Sequence, residues 1–133
     1  MQDILGFWLE YRKNTSEKSL GDEAFGQDYG SLKEKIIQYL QGGINLLSLR
    51  TIFYDIKDKD EMGVPVIYTD GEWLWTTEYI YYIDKYDLKI DQAFLKYLLN
   101  RSFKLPTKED IGMDRIIELE DSISGTYLIL NIK

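Results

Sequence analysis

The groups in this 133-residue chain that offer acid–base or metal chemistry are its carboxylates, because the sequence has no histidine and no cysteine. Their absence removes the commonest general base, the Ser–His and Cys–His nucleophile systems, and most zinc and iron sites. It also excludes a disulfide framework. The acids fall in pairs such as Asp84 with Asp87 and Glu118 with Asp121. Two carboxylates in a cleft can act as acid and base, whereas on an open helix or loop they are hydrated charge. Asp58-x-Asp60-x-x-Gly63 has the opening spacing of a calcium loop. Its fifth and twelfth positions are Met62 and Thr69, where an oxygen-rich residue and a bidentate Glu belong. No GxxxxGK[ST] or GxGxxG phosphate loop occurs, and Gly42-Gly43 follows a helical pattern instead of opening one. The expectation is a protein without catalytic residues, metal or cofactor.

The aromatic residues are the denser signal. Residues 68–83 read YTDGEWLWTTEYIYYI. Trp73 and Trp75, two apart in a strand, point to one face. A following amphipathic helix would cover them as core; left open, they would be a stacking platform for a small ligand. Along that helix Tyr79, Tyr82 and Tyr86 align while Tyr81 points elsewhere. An exposed tyrosine is therefore expected, and exposed tyrosine suits a protein interface.

These side chains need elements to hold them. Ile4, Leu5, Trp8, Leu9 and Tyr11 have helical spacing, which predicts a helix over residues 2–13. Asn14 to Gly30 reads mostly as loop. Ser31 with Glu34 forms a capping-box pattern ahead of Leu32, Ile36, Ile37 and Leu40, and Gly42-Gly43 stops that helix. Ile44 to Ile56 suits a strand broken near Arg50, followed by a charged loop, KDKDEMG. VPVIYTDGEWLW then reads as a hairpin with a tight type I′ turn at Asp70-Gly71. Thr76 or Thr77 caps the next helix and Asp91 a further one carrying Phe94, Leu95, Leu98 and Leu99. Thr107 with Asp110 marks one more helical turn. TYLILNIK reads as a final strand, paired across Ser124-Gly125 with RIIEL at 115–119 or preceded there by a helix. The sum is one α+β domain over residues 1–133, with a mainly antiparallel sheet and several helices packed on it.

Net charge is −7. Such a field repels nucleic acid and anionic lipid and attracts a basic partner. Between Glu109 and Asp121 six acids face Arg115 alone. Lys33, Lys35, Lys57 and Lys59 are interleaved with acids, so they form no basic stripe for nucleic acid. The start, MQDILGFWLEYRK, lacks the basic-then-apolar order of a secretory signal, and no run of about 18 apolar residues exists. A cytoplasmic protein is expected, with no membrane contact and an oligomeric state that composition does not fix.

Thr69-Asp70-Gly71-Glu72-Trp73-Leu74-Trp75, with Tyr81-Tyr82, Lys85-Tyr86 and Asp91-Gln92-Ala93-Phe94-Leu95, resembles a pattern of small bacterial proteins. Many of these resemble immunity proteins encoded beside polymorphic or contact-dependent growth-inhibition toxins. The resemblance covers about residues 39–99 and departs at Thr76, where proline is usual. It implies a protein that binds and neutralises a cognate toxin domain. Acidity points to a basic toxin, such as a nuclease, occluded through acidic and aromatic contacts. The candidate contact residues are Asp58, Asp60 and Glu61 before the hairpin, Tyr81 on the helix, and Glu118, Glu120 and Asp121 near the C-terminus. The alternatives are a ligand-binding module built on Trp73 and Trp75, and an enzyme working by carboxylates alone.

Overall fold

The computed structural model describes residues 4–6, 24–48 and 52–131, with side chains as far as Ile123. Its centre is a four-stranded sheet in the order β1 (Ile4–Leu5), β6 (Leu74–Thr76), β5 (Val66–Thr69), β2 (Ile44–Ser48). β1 runs parallel to β6, and the other pairs are antiparallel. The architecture is α+β, as the pattern of elements predicted.

Alternation along the strands sorts the core into two layers, because neighbouring residues point to opposite faces. Ile4, Ile67 and Leu74 face one way and pack with Ile116, Leu119 and Ile123 of α5 (Met113–Asn131). Leu5, Tyr68 and Trp75 face the other. There they meet α1 (Leu32–Gln41), α2 (Thr77–Tyr86) and α3 (Gln92–Asn100). Each fully buried side chain of this size contributes about 1.5–3 kcal/mol, so the two layers hold the sheet from both sides.

The helix starts at α2 and α3 follow local chemistry. Thr76 Oγ1 accepts from the Tyr79 N–H, and Asp91 Oδ1 accepts from the Phe94 N–H. α4 (Lys108–Ile111) opens with a reciprocal capping box between Thr107 and Asp110. Ser31 differs from expectation: it has helical dihedrals and makes no side-chain cap, so the Ser31–Glu34 capping box does not form. α1 is instead held by burial of Ile36, Tyr39 and Leu40.

Three further expectations are corrected. Ile4–Leu5 is a strand, not part of a helix, because its parallel pairing with Leu74 and Trp75 places one residue in each core layer. The remainder of the predicted 2–13 helix lies outside the described residues, as does the first part of the Asn14–Gly30 loop; Ala24–Tyr29 is irregular as predicted. The charged segment after Ile56 is not all loop, since β4 (Glu61–Gly63) pairs with β3 (Phe53–Tyr54) in a separate two-stranded sheet. The C-terminal strands and the Ser124-Gly125 turn are absent: residues 113–131 form one helix. Ile116, Leu119 and Ile123 recur at helical spacing, and the sheet's second face is what they cover.

Among the described residues no helix is long and apolar enough to cross a membrane.

Candidate functional site

The aromatic stretch is structural first. The Trp75 indole is fully buried, donates from Nε1 to the Leu40 carbonyl at 2.9 Å, and packs on Phe94 and Tyr39. Trp73, half-buried, lies with its ring centroid 4.8 Å from Phe94 and 5.8 Å from Tyr97. Both tryptophans therefore meet α3, and Trp75 leaves no ring face for a ligand. A groove of about 600 Å³ along α1, lined by Ile37, Glu34, Gln38, Gln41 and Asp84, contains neither.

The hairpin forms, but its turn is not type I′. Pairing ends at Thr69 and Leu74, leaving a four-residue loop, Asp70 to Trp73. The buried Asp70 carboxylate accepts from the Glu72 and Trp73 N–H groups at 3.0 and 2.9 Å, and Gly71 alone takes a positive φ, +100°. Side-chain acceptance of two backbone donors substitutes for the mirror-image turn. The same carboxylate accepts from the Tyr39 hydroxyl at 2.5 Å. Burial, then this hydrogen bond, pushes the Tyr39 phenol far above its ordinary pKa.

A second buried acid, Asp55, organises the other end of α2. Its carboxylate is fully buried and accepts from Lys57 N–H (2.7 Å), Asp58 N–H (2.9 Å) and the Tyr86 hydroxyl (2.8 Å). It also accepts from Lys85 Nζ at 3.1 Å and from the Tyr81 hydroxyl. Burial alone would raise its pKa; the donors, led by Tyr81, outweigh burial and hold the carboxyl well below the usual range. Asp58 pairs with the same Lys85 at 2.5 Å. Hydrogen bonding to Asp58, Tyr81 and Asp55 keeps the lysine charged far into alkali. Burial and the bond to Asp55 push the Tyr81 phenol up in spite of Lys85. A tyrosine so placed stays protonated at neutral pH and is a poor general base. The cluster is a clip that fixes the β3–β4 hairpin on α2, helped by Tyr82, whose hydroxyl accepts from the Ile56 N–H at 3.0 Å.

This geometry redistributes the predicted contact residues. Tyr81 is not the exposed tyrosine the helical wheel predicted: Tyr79 and Tyr82 are buried, Tyr81 and Tyr86 half-buried, and Tyr81 is spent on Asp55. Asp58, Asp60 and Glu61 are exposed at the hairpin tip. Lys57 and Lys59 stand among them, so the tip is close to neutral. Glu118 and Asp121 are exposed on α5, and Glu120 is half-buried. Because the hairpin leans on α2 and α5 covers the other sheet face, the two acidic groups lie on opposite sides of the sheet.

The α4–α5 face is the more strongly charged. Glu109, Asp110, Asp114, Glu118 and Asp121 are all exposed. Arg115 is turned in, donating from Nε to the Gly71 carbonyl at 3.1 Å and from Nη1 to Glu118. On the same helix Met113 and Ile117, 61% and 46% exposed, lie four residues apart on one face. Sequence reasoning found these acids but missed the apolar pair, because the spacing leaves residues 115–119 between strand and helix and the exposed face of α5 undefined. It also missed a basic run: Lys96, Arg101, Lys104 and Lys108 occur with no acid among them. Among the described residues no group of three or more Asp or Glu is arranged to hold a metal ion.

No family model, curated protein or solved structure matches this chain.

Proposed function

We propose that the chain is an immunity-type protein that binds and neutralises a cognate toxin domain, a basic nuclease, and has no catalytic role of its own. The reading is supported by one observation above others: the outer face of α4–α5 exposes five carboxylates and, beside them, Met113 and Ile117, against two cations, exposed Lys108 and Arg115, the latter engaged with Gly71 and Glu118. Exposed apolar side chains beside a run of carboxylates suit a partner whose lysines and arginines hold phosphate. Occlusion of those cations would stop the toxin, and the acidic field would speed capture. The hairpin tip fits less well, because its own lysines offset Asp58, Asp60 and Glu61.

The test is co-purification with the product of the adjacent toxin-like gene, followed by association rates for two charge-reversed variants. Asp114→Lys with Glu118→Lys should slow association by about tenfold or more at low salt and much less at high salt. Asp60→Lys with Glu61→Lys should change little. Equal rates for both variants and the parent at both ionic strengths would reduce the acidity to a matter of solubility. A loss confined to the hairpin variant would move the contact to that side.

A further inference from the structure

We infer that the groove between α1 and α2 binds an arginine side chain carried on an extended segment of a partner protein. Glu34, Ile37, Gln38 and Gln41 recur three and four residues apart, so they form one stripe along α1, and Asp84 of α2 lines the same groove. Its volume of about 600 Å³ falls within the range of small-ligand sites, about 300–1,000 Å³. The lysines beside these acids are engaged elsewhere. Lys33 pairs with Asp87 at 2.7 Å, and Lys85 pairs with Asp55 at 3.1 Å and Asp58 at 2.5 Å. Lys35 is exposed and does not line the groove. Of the acid pair Asp84 and Asp87, only Asp87 is therefore neutralised. Among the described residues neither Asp84 nor Glu34 makes an ion pair. Glu34 accepts from Gln38 Nε2 at 3.3 Å, which leaves the amide oxygen of Gln38 to accept from a ligand.

The lining is a set of acceptors beside one apolar side chain. Carboxylates from two helices, the amide oxygens of Gln38 and Gln41 and the Ser31 hydroxyl take hydrogen bonds from several directions. A guanidinium offers five N–H donors in one plane, and its weak hydration lowers the cost of leaving water. Its methylene stem would lie along half-buried Ile37. An anion would meet two uncompensated carboxylates and a lysine already neutralised. Ser31, Glu34, Gln38, Gln41 and Asp84 are all exposed, so a chain segment reaches the groove directly from solvent. α1 and α2 pack on the Trp75 face of the sheet and α5 on the other. The groove is therefore on the side away from α5, and the inference stands apart from the toxin reading.

Amide NMR spectra of the full chain, titrated at low salt with a blocked Gly-Arg-Gly peptide, test it. Shifts should saturate and centre on Ser31, Glu34, Gln38, Gln41 and Asp84. The same peptide with citrulline in place of arginine keeps the shape without the charge, and it should bind about tenfold more weakly or worse. Glu34→Gln with Asp84→Asn keeps the shape of the lining and, because both residues are exposed, the fold; it should weaken binding by about tenfold or more. Where the spectrum shows that this variant is perturbed, Glu34→Gln alone reads the same loss at smaller amplitude. Asp114→Asn with Glu118→Gln on α5 should leave binding unchanged. Shifts that centre on the α4–α5 acids, or that vanish in the α5 variant, would mean that the peptide follows bulk charge, and would overturn the inference. So would equal binding of the citrulline peptide, a groove variant that binds like the parent, or a titration without saturable shifts.

Discussion

Asp55 shows how a single buried carboxylate can be stable only as the centre of a donor cage. Removing its charge should cost about 2–3 kcal/mol, the scale of hydrogen bonds to an ionised group. The pH dependence follows from the direction of the shift. In the folded chain the carboxyl is held well below its unfolded value of about 3.9. The unfolded state therefore binds the proton first, and Asp55's contribution is present at neutral pH and is lost as pH falls below about 4. Asp55→Asn should thus be less stable than the parent at pH 7, with the gap closing in acid; chemical denaturation at several pH values measures it. A gap that stays constant down to pH 2 would mean that the charge of Asp55 contributes nothing. None of this was legible in the sequence. The donors Tyr81, Lys85 and Tyr86 lie about thirty residues away, and only the docking of the hairpin on α2 brings them to Asp55. Asp70 was half legible: a turn was expected, but its Asx form depends on where the carboxylate points.

At the scale of elements, legibility tracked locality. α2, α3 and α4 were readable because each begins with a side chain that caps its own first turn, within three residues. β4 was not, since Glu61-Met62-Gly63 ends a run of lysines and aspartates that reads as loop, and only pairing with Phe53–Tyr54 makes it a strand. The C-terminal segment misled because Ile, Tyr and Leu with a Ser-Gly pair imitate two strands and a turn. The real arbiter is the apolar sheet face formed by Ile4, Ile67 and Leu74, which takes a helix bearing Ile116, Leu119 and Ile123. A simple comparison checks the helix. In a strand, residues 117 and 119 would share a face. In α5, Leu119 is buried and Ile117 is exposed. Leu119→Ala should therefore cost about 2–4 kcal/mol and Ile117→Ala under about 0.5 kcal/mol. Similar costs for the two, measured by urea unfolding, would return the segment to a strand.

Over the whole molecule the tyrosines make a collective statement about alkali. Burial is the first cause that raises the phenols of Tyr29, Tyr39, Tyr81, Tyr86 and Tyr97. Asp70 adds to it at Tyr39 and Tyr97, and Asp55 at Tyr81 and Tyr86. These rings lie at both ends of α2 and along α1 and α3, so the helical layer over Trp75 depends on neutral phenols throughout. A group whose folded pKa is raised contributes fully below its unfolded value, about 10 for tyrosine, and the contribution is lost as pH climbs from there through the folded value. In that window the unfolded chain releases protons that the folded chain keeps, so stability falls steeply with several tyrosines acting together. The chain should therefore not titrate these phenols one by one in the folded state. Tyrosinate absorbance should instead rise cooperatively above pH 10, in step with loss of the near-ultraviolet circular dichroism of Trp75 and its neighbours. Tyr39→Phe removes one such phenol and the Asp70 hydrogen bond with it, which should lower stability at neutral pH but make the alkaline decline shallower. If tyrosinate forms gradually while the aromatic dichroism is unchanged, the phenols are ionising inside an intact fold, and the two buried aspartates do not control them.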